Sequence, residues 1–146
     1  YYSRTQAPPE VEAELGATFA PLDDLLAESD YVTLHTALTE ETHHLIGAVA
    51  LARMKPGAIL INTSRGGVVD QAALVEALRS GQLFGAGLDV TDPEPMRADD
   101  PLLSLPNCLV VPHIASASER TRDRMAEKAA ANLIAGLRGE SLPDPV

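Results

Sequence analysis

The sequence is poor in several things, and each shortage excludes a class of protein. One cysteine, Cys108, rules out an internal disulfide, and its place in the apolar stretch Cys108-Leu109-Val110-Val111 reads as a buried, inert thiol of a cytoplasmic protein. Tryptophan is missing and aromatic residues make up only 3% of the chain, so the core must be built from Ala, Leu, Val and Ile. Basic residues are few and scattered. With 11 Lys and Arg against 21 Asp and Glu, the net charge of -10 argues against nucleic acid as a partner, since phosphate backbones are bound by clustered cations. No apolar stretch approaches the ~20 residues that cross a bilayer, and no signal peptide opens the chain, so no membrane partner is expected. The first residue is Tyr rather than Met. Tyr1-Tyr2-Ser3 reads as the end of a strand already under way, so the protein is expected to extend upstream.

What is present alternates between two patterns. Short runs rich in Val, Ile and Leu occur at 30–35, 58–62, 86–90 and 109–112 and read as strands. Between them, Leu22, Leu25 and Leu26 recur at helical spacing, as do Leu74, Ala77 and Leu78 behind an N-cap candidate, Asp70. Gly81 after Ser80 is a helix stop, and Pro56-Gly57 closes a helix over 48–55. Strands separated by helices imply parallel β-α-β units, hence an α/β, Rossmann-type doubly wound sheet. A last helix spans about 118–137, with Met125, Ala129, Leu133 and Leu137 four apart. At ~1.5 Å per residue it is about 30 Å long, more than one sheet needs, and is expected to pack on another domain or subunit. The expected organisation is therefore 1–117 as part of a nucleotide-binding domain and 118–146 as a long helix and tail.

Ligands of such sheets lie at the carboxyl ends of the strands. The chemically useful residues follow each strand: His35-Thr36, Thr63-Ser64-Arg65-Gly66, Asp89 and His113. Arg65 offers a planar fork that holds a carboxylate through two parallel hydrogen bonds, and Gly66-Gly67 would let the backbone approach a ligand. Glu94, between Pro93 and Pro95, is a carboxylate on a stiff loop. His113 ends the fourth strand, where an imidazole beside a carboxylate would hold a proton for a carbonyl oxygen. Taken singly, these are as readily a surface Arg, a solvated turn residue and a His ending its strand. Ser116 is a ligand candidate, and Ser116-Ala117-Ser118-Glu119 also matches a helix capping box. His43-His44 have no spacing that pairs them with other metal ligands, so they read as solvated and no metal is expected. Arg120, Arg122 and Arg124 read as an exposed helix face.

Taken together, the blocks resemble one family. His35-Thr36-Ala37-Leu38-Thr39-Glu40-Glu41-Thr42, Met54-Lys55-Pro56-Gly57-Ala58, Asn62-Thr63-Ser64-Arg65-Gly66, Gly87-Leu88-Asp89-Val90, Pro93-Glu94-Pro95 and Pro112-His113-Ile114-Ala115-Ser116-Ala117 follow one another in the order found in the D-isomer-specific 2-hydroxyacid dehydrogenases. Within that family the likeness is strongest to the glyoxylate/hydroxypyruvate reductases, as 115–122 and Gly136-Leu137-Arg138-Gly139-Glu140 suggest. The resemblance implies that Arg65 clamps the carboxylate of a small 2-oxo acid, that His113 donates the proton and that Glu94 orients it. It places Asp89 beside the nicotinamide, and Ala37, Thr63 and Ala115 along the cofactor. Ser116 falls among the substrate contacts. Glu at 94, where formate dehydrogenases carry Gln, favours acid-base chemistry.

Ser3-Arg4-Thr5 stands where an NAD-preferring fold carries an acid, which favours NADP(H) over NAD(H). The resemblance also implies a homodimer. The family's glycine-rich pyrophosphate loop and first strand are expected upstream of Tyr1, so residues 1–146 alone are expected to be inactive. A different outcome, also open to the family, is a non-catalytic dinucleotide-sensing co-repressor.

Overall fold

A computed structural model of the chain describes residues 1–145. Its first compact unit, Tyr1–Pro112, holds the sheet, and its second begins at His113. The first unit runs α1 (Pro9–Leu15), α2 (Leu22–Glu28), β1 (Tyr31–Leu34), α3 (Ala48–Arg53), β2 (Ala58–Asn62), α4 (Gln71–Arg79), β3 (Leu83–Leu88) and β4 (Cys108–Val110). Short 3-10 turns lie at Gly66–Val68 and Pro101–Ser104. All strand pairs are parallel and the order is β1-β2-β3-β4. This is the Rossmann-type arrangement expected from the alternating patterns.

Register explains which residues form the core. Val32 lies opposite Leu60, which lies opposite Ala86, and Leu34, Asn62 and Leu88 form the next row on the same face. That face packs against Leu26 of α2, Leu51 of α3 and Leu74, Val75, Ala77 and Leu78 of α4. Full burial of a Leu side chain contributes roughly 1.5–3 kcal/mol, so this seam supplies most of the unit's stability. The other face carries Tyr31, Thr33, Ile59, Ile61, Gly87 and Leu109, and it leaves Tyr31 72% and Leu109 66% exposed.

The helix signals act as expected in α4. The Asp70 side chain accepts from the Ala73 amide at 3.1 Å, and the chain leaves after Ser80 through Gly81 at φ 75°. Gly57, at φ 83°, makes the turn between α3 and β2. Some elements differ from the sequence reading: β4 ends at Val110, so His113 lies beyond the strand rather than at its end. β3 starts at Leu83, three residues early, because Ala58 pairs with Leu83 across a register irregularity that alternation alone does not show. It also ends at Leu88, so Asp89 follows the strand rather than ending it. α1 was not expected, for it has no buried residue and hence no apolar stripe to read. Tyr1 is in no assigned strand, yet its backbone nitrogen donates to Thr18 at 2.6 Å and its carbonyl accepts from Ala20 at 2.9 Å, as a parallel strand would pair.

The second unit is dominated by α5 (Glu119–Arg138). Its N-cap is Ser118, whose hydroxyl accepts from the Thr121 amide at 3.2 Å, which corrects the capping assignment to Ser116. The serine that caps is the one with extended backbone directly before the first helical turn. Gly139, in the left-handed conformation, closes the other end. Ala135 is the buried residue of α5, and Arg120, Arg122 and Arg124 are exposed. Among the described residues no helix is long and apolar enough to cross a membrane.

Candidate active site

Asn62 organises the loop after β2. It ends the strand with 1% of its surface exposed, so its amide must find partners inside the fold. Its Nδ2 donates to the Arg65 carbonyl at 2.9 Å, and its Oδ1 accepts from the Ser64 amide at 3.0 Å and the Ser64 hydroxyl at 2.9 Å. Three hydrogen bonds from one side chain fix the Thr63-Ser64-Arg65 turn. Asn62 belongs to a block that carries the family resemblance, but the burial of its amide leaves no trace in the sequence.

Arg65 projects from that turn with its guanidinium exposed, and Nη1 donates to the Ser64 carbonyl at 2.7 Å. It lines an open cleft of about 550 Å³ with His35, Thr36, Ala37, Leu38, Thr63 and Ser64. The cleft sits at the carboxyl ends of β1 and β2, where parallel sheets hold their ligands. Ala37, Thr63 and Arg65, singled out from sequence, thus share one surface, and His35 joins them, with Nε2 3.0 Å from Thr33 Oγ1. The backbone and hydroxyl groups that Thr36, Ala37, Thr63 and Ser64 bring to this open rim suit an extended polar cofactor.

Gly66 is required by a close backbone contact that the sequence does not show. A Cβ there would lie 2.0 Å from the Thr91 carbonyl oxygen and 2.7 Å from the Asp92 nitrogen. The close approach is to the loop after β3. It seats the Arg65 turn on the backbone that leads to Glu94. Gln71 holds the same loop: its Oε1 accepts from the Asp92 amide at 3.2 Å and its Nε2 donates to Asp100 at 2.8 Å. The Thr91 hydroxyl donates to the Pro93 carbonyl at 2.9 Å. The peptide bonds before Pro93 and Pro95 are both cis, and Glu94 between them is exposed. Gln71 escaped the sequence reading because a Gln in the first turn of an amphipathic helix looks like surface. Asp89 is buried directly after β3, and its amide donates to the Asn62 carbonyl at 2.9 Å.

His113 opens the second unit with φ 54°, a conformation that costs a side-chain-bearing residue energy and that concentrates at functional positions. Ala115 and Ser116 follow it, exposed. Ser3, Arg4 and Thr5 are exposed near the start, where the Ser3 hydroxyl donates to the Thr5 carbonyl. The Thr39 hydroxyl donates to Glu41 at 2.7 Å and holds that carboxyl below its usual range, with the charge of Arg4 adding to the effect.

A family profile described as the NAD-binding domain of D-isomer-specific 2-hydroxyacid dehydrogenases matches residues 1–115. The chain belongs to this family. It is 59% identical over 135 residues to the glyoxylate reductase of Korarchaeum cryptofilum, covering 92% of the chain and 41% of the relative. It is 50% identical over 139 residues to glyoxylate/hydroxypyruvate reductase B of Citrobacter koseri, covering 95% and 43%. The crystal structure of a glyoxylate reductase from Paecilomyes thermophila superposes with a TM-score of 0.89 at 40% identity, covering 97% of the chain and 43% of that structure. The chain spans less than half the length of each of these dehydrogenase relatives.

Proposed function

We propose that the protein containing these residues reduces a small 2-oxo acid, glyoxylate or hydroxypyruvate, at the expense of NAD(P)H. The observation that carries this reading is the cleft at the ends of β1 and β2, which puts Arg65 beside the cofactor-contact candidates Ala37 and Thr63. The relatives' names as glyoxylate and hydroxypyruvate reductases support it.

The nicotinamide supplies the hydride when bound. Ala37, Thr63, Asp89 and Ala115 line its path. Arg65 grips the acid's carboxylate through two parallel hydrogen bonds and draws electron density from the adjacent carbonyl. His113 gives its proton to the carbonyl oxygen, which becomes the hydroxyl, and Glu94 orients the imidazole. Ser116 contacts the substrate. Ser3, Arg4 and Thr5 receive a 2′-phosphate, so NADP(H) is preferred over NAD(H). Residues 1–117 form the C-terminal part of the cofactor domain and 118–146 lead toward a substrate domain. The protein works in the cytoplasm as a homodimer, for which the exposed Met125, Leu133 and Leu137 of α5 offer apolar surface.

The test is steady-state turnover of the full-length protein with glyoxylate, hydroxypyruvate and pyruvate against both cofactors. Turnover with the first two, faster with NADPH, is expected. Failure with every 2-oxo acid would contradict the reading. Residues 1–146 alone should give no turnover, because they contain no glycine-rich pyrophosphate loop.

A further inference from the structure

The loops after β1 and β3 meet at His43, His44 and Asp92, and we propose that this trio is a site for a divalent transition cation of the Zn²⁺ class. One nitrogen of each imidazole and one Asp92 carboxylate oxygen all lie within 4.8 Å of one another. The assignment does not depend on the hydride-transfer reading. It corrects the view of His43-His44 as lacking a carboxylate partner, for Asp92 reaches them from the loop after β3, far away in sequence.

The backbones of the two loops are held while the ligand side chains remain available. His43 donates its amide to Thr39 at 2.9 Å, and His44 donates its amide to Gly67 at 2.8 Å. His44 adopts φ 53°, which turns its side chain out of the regular path of the loop. The Asp92 amide is fixed by Gln71. A Cβ on Gly67 would lie 3.5 Å from Asp92 Oδ2, so the carboxylate stands over the glycine that accepts from His44. The two imidazoles stack at 3.9 Å between ring centres, all three residues are exposed, and among the described residues their side chains make no hydrogen bond. Ligands of a tetrahedral Zn²⁺, at roughly 2.0–2.1 Å from the ion, are about 3.4 Å apart. To reach that spacing at least one ring must turn out of the stack.

The donor set decides the cation. Two neutral imidazoles and one carboxylate suit Zn²⁺, Co²⁺ or Ni²⁺ and disfavour Mg²⁺ and Ca²⁺, which take oxygen ligands. Three protein ligands leave a position for water. A bound ion would tie the turn after β1 to the loop that carries Glu94, and the net charge of -10 favours cation capture.

The test is titration of the 146-residue chain with Co²⁺, followed by its visible absorption, and with Zn²⁺ in competition with a chromophoric chelator. One equivalent with a Kd of about 10 µM or tighter is expected, with no response to Mg²⁺. Asp92→Asn and His44→Asn should each weaken binding by about tenfold or more. Asn tolerates the left-handed backbone at 44, so the second variant keeps the fold, which circular dichroism would verify. Absence of binding by the unsubstituted chain would overturn the proposal. So would unchanged affinity in Asp92→Asn, which would leave at most a pair of histidines.

Discussion

α4 and α5 are both amphipathic, yet they are stabilised differently. α4 has nine residues and buries four of them, Leu74, Val75, Ala77 and Leu78. α5 has twenty and buries only Ala135. The first is held by the core of its unit, and its caps are secondary. The second depends on its alanines, on Ser118 and Gly139 at its ends, and on Glu119 and Arg138 placed favourably for the helix dipole. Where burial is high, stability is written in the apolar pattern. Where it is low, it is written in the caps.

Substitutions sharpen this contrast. Leu60→Ala, at a fully buried position in the centre of the sheet, should cost about 2–5 kcal/mol in urea unfolding, the largest effect of the series. Gly66→Ala should cost on the order of 1–3 kcal/mol, since the new methyl meets the Thr91 carbonyl and the loop must move; it should also lower the proposed reductase activity of the full-length protein. Ser118→Ala should cost α5 about 1 kcal/mol, read as lost helicity. Leu133→Ala, exposed on the same helix, should change the stability of the 146-residue chain by less than about 0.5 kcal/mol. An equal loss at 60 and 133 would break the comparison.

A smaller effect concerns Cys108. Burial, aided by the charge of Asp100, pushes its thiol up from 9.0 to about 11. A raised folded-state value means that the native protein holds the proton more tightly than the unfolded chain does. The stabilisation is therefore complete below pH 9 and is lost as pH rises through about 11. Alkylation of the folded chain at pH 8 should be slower than in urea, and Cys108→Ser should flatten the alkaline fall in stability.

Much of the fold could be read from the chain because burial and periodicity coincide there. Val32, Leu34, Leu60 and Leu88 alternate as a half-covered strand should, and Asp70 and Gly81 bracket α4. The early start of β3 stayed hidden, for Phe84 and Gly85 interrupt the pattern beside the register irregularity. The cleft residues were legible because strand ends are where a parallel sheet presents its loops. What linear sequence could not show was contact across loops: Gly66 against Thr91, Gln71 under Asp92, and Asp92 beside His43 and His44. Each joins positions separated by more than twenty residues, and none leaves a periodic trace.

The claim with the widest consequences is that Arg65 and His113 serve one carbonyl group. The direct measurement is kcat/KM for glyoxylate in the full-length protein carrying Arg65→Ala, His113→Ala and both. Each single change is expected to lower it by about 100-fold or more, and the pair by less than the product of the two, as for groups that act on the same transition state. Wild-type kinetics in either single variant, or strictly multiplicative losses in the pair, would contradict the account.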